Sequence, residues 1–155
     1  MEKKVKLQDI IEGIEMQFEE INTYLNLKTR QVIAVSTDSL WRAEEDEPFD
    51  DLPKWQQDEV KVAIDIIENF ENYEKLPSQF EINEYGMMED FCYSIQNNKH
   101  RNLLLGAIRG KGAFRRFKDL IIQLNLEKDW YYYRDKRYRE LAIDWCKTRG
   151  IDFTE

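Results

Sequence analysis

Residues 110–119, GKGAFRRFKD, constrain the fold of this chain more than any other stretch. Two glycines flank a lysine, so the backbone can enter left-handed conformations twice within three residues. That freedom suits the end of one helix and a tight entry into the next. Phe114, Phe117, Ile121 and Leu124 follow at three- and four-residue spacing, which predicts a second helix with one buried face. Arg115, Arg116 and Lys118 are left off that face. They stand in the first turn or just after it, where the helix dipole is positive and cations are disfavoured. A negative partner is therefore expected close by, either an acidic patch of the same protein or an anionic ligand.

The charge distribution bears on that choice. Residues 1–98 hold 23 acidic and 9 basic side chains, whereas residues 99–149 hold 6 acidic and 14 basic, within a net charge of -8. Two halves of opposite sign can fold against each other and neutralise. Alternatively the basic half presents a patch to nucleic acid, nucleotide or another polyanion. At 155 residues, 42% hydrophobic and 13% aromatic, the chain has enough apolar surface for a single domain with its own core. No run of eighteen apolar residues marks a membrane span, and MEKKVKLQDI enters an amphipathic pattern without a signal-type apolar region, which predicts a cytoplasmic protein without a membrane partner. Cys92 and Cys146 lie inside apolar helical patterns without metal-ligand spacing and are expected to be reduced core residues, a cross-link between them staying open.

Along the chain, Leu7, Ile10, Ile11 and Ile14 predict a helix over 7–15, and the alternation of residues 20–35 around the polar break LKTR predicts a β-hairpin. If its outer edge is bare, strand pairing between two copies would cover it, so the chain is expected as monomer or homodimer. STDSLWRAEEDEPFDD combines a single helical turn with an acidic run; it has no glycine for a calcium-loop turn. Asp51 as cap and Pro53 in the first turn predict a long central helix to about Tyr73 with Trp55, Val62, Ala63, Ile66, Ile67 and Phe70 inside. Glu59, Asp65, Glu68 and Glu71 on its other faces are the expected partners of the basic half. Further helices are expected from an Asn83 cap to Ile95, from an Asn98 cap over Lys99–Arg109, and from Asp129 to Thr148, ended by Gly150. Lys99 and Arg101 repeat the charge violation seen at Arg115 and Arg116. In the last helix Trp130, Tyr133, Leu141, Ala142 and Trp145 predict a buried stripe, with Tyr131, Arg134, Arg137 and Tyr138 partly elsewhere. Interleaved rings and cations suit base stacking and phosphate contact, but ordinary core or rim packing is the reading favoured for them.

With INTYLNLKTRQVIAVS, LPSQFEINEYGMMEDFCYSI, GKGAFRRFKD and EKDWYYYRDKRYRELAIDWC in view, the chain resembles uncharacterised protein family 0158 over nearly its whole length. GKGAFRRFKD followed by the Trp130–Tyr131 pair is the most specific part. The resemblance implies a bacterial or bacteriophage, cytoplasmic, single-domain protein, and brings no established activity, cofactor or catalytic residue with it.

Motif chemistry narrows the field. Gly106, Gly110, Lys111 and Gly112 lack the spacing of a phosphate loop and follow a helix rather than a strand. His100 is the sole histidine, so neither a zinc site nor histidine-based acid–base chemistry gains support, and the serines at 36, 39, 78 and 94 sit in no nucleophile elbow. No cofactor, metal or catalytic residue is expected. The fold expected is α+β, mainly helical, one domain over 1–155 with an N-terminal β-hairpin packed on about six helices. The leading functional expectation is a non-enzymatic interaction or regulatory module. Its basic surface, Lys111, Arg115 and Arg116 extended by Lys118, Arg134 and Arg137, would take an anionic ligand such as nucleic acid. The alternatives are an acidic-surface inhibitor or adaptor for a protein partner, in which the acids imitate nucleic acid, and a hydrolase using paired carboxylates such as Glu84, Glu89 and Asp90 near Tyr85.

Overall fold

A computed structural model of the chain describes residues 4–16 and 20–155. The opening residues of the N-terminal stretch read above lie outside them. In chain order the described elements are β1 (Val5–Lys6), α1 (Leu7–Glu15), β2 (Ile21–Asn26), β3 (Val32–Ser36), α2 (Thr37–Glu44), α3 (Lys54–Glu68), a single 3-10 turn at Phe70–Asn72, β4 (Tyr73–Lys75) and α4 (Gln79–Ile82). They continue with α5 (Glu84–Ser94), α6 (Asn98–Ala107), α7 (Ala113–Gln123), α8 (Glu127–Thr148) and β5 (Phe153–Thr154). The protein is thus mainly helical α+β. Its residues group into two compact units, one of residues 1–81 and 141–155, the other of residues 82–140. The first carries 23 acidic and 11 basic side chains and the second 8 acidic and 12 basic.

In the first unit the predicted hairpin is present, with Tyr24 opposite Ile33. Asn26 shapes its turn, its Oδ1 accepting from the N–H of Lys28 at 2.9 Å and of Thr29 at 3.1 Å, while Arg30 takes φ 63°. A third strand, β4, covers the other side of β2, giving the order β3-β2-β4. On the outer edge of β3 the Ser36 N–H donates to Glu59 Oε1 at 2.5 Å. That carboxylate, expected to face the basic half, instead satisfies a strand-edge amide. A separate parallel pair joins β1 to β5, with Val5 opposite Phe153.

The long helix predicted to Tyr73 ends at Glu68, and Pro53 rather than Asp51 stands at its N-cap. Chain beyond Asn69 turns once and enters β4, because β2 offers an open edge for Tyr73–Lys75 to pair with. Val60, Ala63 and Ile66 form the buried face of α3, whereas Trp55 and Phe70, expected inside, are exposed. The single turn expected after Ser36 extends to the eight residues of α2, capped by Ser36 Oγ accepting from Ser39 N–H at 3.1 Å. In the last turns of α8, Trp145 Nε1 donates to Lys75 O at 3.2 Å, and Arg149 pairs with Glu74 at 3.3 Å while lying over the Trp145 ring.

The second unit is built from α5, α6, α7 and the first part of α8. Asn83 caps α5 as predicted, accepting from Gly86 N–H at 3.1 Å. The cap of α6 is Asn97, one residue earlier than expected, accepting from His100 N–H at 3.1 Å. Asp129 does not cap α8 but lies in its first turn, where its charge suits the dipole. Phe91, Phe117, Trp130 and Tyr133 form the aromatic core, with ring centres 4.9 Å apart for Phe117 and Trp130 and 5.4 Å for Phe91 and Trp130. Tyr138, expected off the buried stripe, is buried.

Both cysteines are buried free thiols. Burial, reinforced by the negative charge of Glu89, pushes the Cys92 thiol up to about 11, and burial also raises Cys146, so neither is a ready nucleophile near neutral pH. Among the described residues, no helix is long and apolar enough to cross a membrane.

Gly13 sets α1 against Val32 of β3 and against Leu76, the residue after β4. A Cβ built there would lie 2.6 Å from Leu76 Cδ1 and 2.8 Å from Val32 Cγ1. Its carbonyl accepts from the buried Thr23 hydroxyl at 3.2 Å, so α1 cannot back away without leaving that hydroxyl unpaired. Gly13→Ala should therefore lower stability by about 1–2 kcal/mol, overpacking outweighing a helix-propensity gain of up to about 1 kcal/mol. Urea unfolding followed by circular dichroism measures it, and an unchanged or raised midpoint would contradict the packing.

Candidate nucleic-acid interface

The turn between α6 and α7 takes the conformation its glycines allow, with φ 75° at Gly110 and 78° at Gly112. The last carbonyls of α6 are left without helical partners there. Arg116 supplies donors. Its Nε donates to Ala107 O at 2.8 Å, Nη1 to Lys111 O at 2.5 Å and Nη2 to Arg109 O at 2.5 Å. The arginine sits at the positive start of α7, yet it answers the negative end of α6, which removes the electrostatic conflict. Arg101 repeats the device one corner earlier, donating to Ile95 O, the C-cap of α5, at 3.1 Å and to Asn98 Oδ1.

The six cations picked out in the sequence divide accordingly. Arg116 is occupied by the turn. Arg134 Nε donates to Glu84 Oε1 at 2.8 Å, and its guanidinium lies 4.4 Å from the centre of the Tyr138 ring. Arg137 Nη1 donates to Tyr133 OH at 2.7 Å and to Asp90 Oδ2 at 3.3 Å. Partial burial works against the charge of Arg137, but these two partners outweigh it and raise its proton affinity. The acids that pair with the helical arginines are thus Glu84 and Asp90 of the same unit. Lys111, Arg115 and Lys118 are exposed and form no ion pair within 4.0 Å among the described residues.

Lys118 and Arg134 come together at a groove of about 490 Å³ lined also by Glu84, Phe114, Phe117, Trp130 and Tyr131. Phe117 and Trp130 are its buried floor. Phe114, expected on the buried face of α7, is 39% exposed, and Tyr131 is 46% exposed. Phe114 meets Tyr85 edge to face, with ring centres 6.3 Å apart, and the Tyr85 hydroxyl donates to Ile108 O at 2.7 Å. Glu84 and Tyr85 gave no sequence signal beyond a carboxylate beside an aromatic. Among the lining residues Glu84 is the one carboxylate, and it is paired with Arg134, so the groove does not offer the two converging acids a carboxylate-pair hydrolase requires.

Fold and groove together define a mainly helical α+β protein that carries a ring-lined cleft flanked by cations. The chain belongs to the uncharacterised protein family UPF0158, whose model matches residues 4–155. It is also 31% identical over 67 residues to a UPF0158 protein of Pseudomonas aeruginosa, a match covering 43% of this chain and 44% of that protein. The chain therefore spans less than half the length of that curated relative. No solved structure matches.

The geometry separates Arg116 from its neighbour Arg115. Arg116→Ala should destabilise the protein by about 1–2 kcal/mol through three lost charge-assisted hydrogen bonds, partly softened by water. Arg116→Lys should not restore it, because an ammonium cannot reproduce the planar fork. Arg115→Ala should stay within about 0.5 kcal/mol of wild type. Chemical denaturation of the three variants decides the matter; equal losses for Arg115→Ala and Arg116→Ala would refute the division.

Proposed function

We propose that this protein is a non-enzymatic interaction or regulatory module whose second unit binds an anionic ligand of the nucleic-acid type. The observation that carries this is the pairing state of the cations. Lys111, Arg115 and Lys118 stand exposed without ion pairs among the described residues, and Lys118 borders a groove with the exposed rings of Phe114 and Tyr131. Unneutralised cations release counterions when they meet phosphates, and exposed rings stack on bases. The arginines tied to the fold hold that surface in shape. Two buried free thiols support a cytoplasmic setting.

Fluorescence titration against short single-stranded and duplex nucleic acids at several salt concentrations tests this. Saturable binding should weaken with salt. Lys111→Gln combined with Arg115→Gln should reduce the single-strand slope of log affinity against log salt by about 1.4, two phosphate contacts at about 0.7 each. Absence of saturable binding at low salt would overturn the proposal.

A second function is favoured by a separate observation in the first unit, where Trp41 and Trp55 are exposed, as are Glu44, Glu45 and Glu47. Exposed aromatic rings and exposed acids in one unit suit a basic protein partner. Reversing Glu44, Glu45 and Glu47 to lysine should then abolish recovery of a basic partner in a pull-down, and unchanged recovery would count against it.

A further inference from the structure

We propose that the groove of the second unit is a nucleobase subsite, taking one unstacked base of a single strand against Phe114 and Tyr131 with the adjoining phosphate at Lys118. It rests on the nucleic-acid function proposed above and specifies which form is recognised.

Four features of the groove lead to this occupant. Its volume, about 490 Å³, lies within the range of small-ligand sites and accommodates a base with its sugar and phosphate. Its floor is apolar and stiff, since Phe117 and Trp130 pack edge to face at 81° with both rings buried. Its exposed wall is held in place: Phe114 is braced edge-on at 79° by Tyr85, whose hydroxyl is tied to Ile108 O. A braced ring loses little freedom when a base stacks on it. Finally, Lys118 follows Phe114 by four residues on α7, which sets ammonium and ring on one face of the helix.

The carboxylate in the groove does not oppose a phosphate. Arg134 neutralises Glu84 at 2.8 Å, leaving the charge of Lys118 uncompensated among the lining residues. A small inorganic anion would use the lysine and leave both rings idle. A base within a duplex has its faces covered by its neighbours, so stacking on Phe114 or Tyr131 requires an unpaired strand.

The test compares three labelled ligands in anisotropy titrations: an oligothymidylate of about 12 nucleotides, within the span such surfaces cover, an abasic strand of the same length and charge, and a blunt duplex. Wild type should bind the oligothymidylate about 5- to 150-fold more tightly than the abasic strand, the range expected for one stacked base. Phe114→Leu with Tyr131→Leu should erase that preference and leave the abasic and duplex affinities and the salt slope unchanged. Tyr85→Phe, which keeps the bracing ring but removes the hydroxyl that ties it to Ile108 O, should reduce the preference partially. Equal binding of base-containing and abasic strands by wild type would overturn the subsite while the nucleic-acid function stands. Survival of the preference in the double variant would do the same. Failure of wild type to bind any of the three would overturn the nucleic-acid function and the subsite with it. The abasic comparison is made on the unaltered protein, so it does not depend on how the variants fold.

Discussion

The second unit depends on an arginine that looks backward. Arg116 belongs to α7, yet its guanidinium closes the end of α6 by donating to three carbonyls of the turn, where the Tyr85 hydroxyl adds a fourth side-chain donor at Ile108 O. A turn with two left-handed glycines is permissive, and permissiveness alone would leave the angle between α6 and α7 loosely set. Three hydrogen bonds from one planar group restrict it. Once that angle is set, Phe117 lies on the aromatic core and Phe114 and Lys118 lie at the groove. Arg101 does the same at the corner of α5 and α6, where Ile95 O is the acceptor. Arg101 and Arg116, which in isolation oppose the local dipole, are thereby explained by the opposite end of the helix before.

The groove follows from how the aromatic core runs out of partners. Phe91, Phe117, Trp130 and Tyr133 surround one another in mostly edge-to-face contacts, an arrangement that matches ring quadrupoles and fixes ring positions. Phe114 lies one helical step from Phe117 and cannot join that cluster; Tyr85 gives it an edge and leaves its remaining surface open. Tyr131 follows Trp130 on α8, and the rotation of one residue carries it out of the core to the groove wall. Single exposed rings are ordinary on a protein surface. Two at one groove with an unneutralised lysine are a more specific combination.

Where local periodicity and tertiary structure agree, the sequence was legible. The apolar spacing of Leu7, Ile10 and Ile14 marks α1 at its observed bounds, Asn83 caps α5, and the alternation around LKTR is the hairpin. Strands of two or three residues have no periodicity to detect. Tyr73–Lys75 is a strand because β2 has an edge for it, and Phe153–Thr154 because Val5–Lys6 does. Helical spacing placed Trp55 and Phe70 with an apolar face but could not say whether a neighbour covers them. At the site, the cations were legible as cations, and the turn glycines as turn glycines. Which cations the fold would consume was not, since the acceptors of Arg116 are carbonyls whose positions exist only once the turn is made. The groove joins Glu84 to Arg134 across fifty residues, a separation that no local pattern encodes.

That distinction changes how the charge of this chain should be weighed. A net charge of -8 would ordinarily argue against a polyanion, and a count of basic residues in 99–149 would argue for one. Neither quantity is what a phosphate meets. Screening at physiological salt limits exposed charges to a reach of about 8 Å, so the relevant sum is local. Within it, Arg134 and Arg137 already face Glu84 and Asp90, and Arg116 is bonded to carbonyls. Arginine, with its rigid fork, is the residue suited to those fixed structural bonds, whereas lysine, a hydrated point charge on a flexible stem, is suited to a ligand whose phosphates have no single geometry. The fold uses the two accordingly: its arginines are largely spent on corners and ion pairs, and of the six cations singled out in the sequence Lys111, Lys118 and Arg115 are left to face solvent. Under the proposed function, recognition strength should therefore scale with those three groups and the rings beside Lys118, not with the basic count of the half to which they belong.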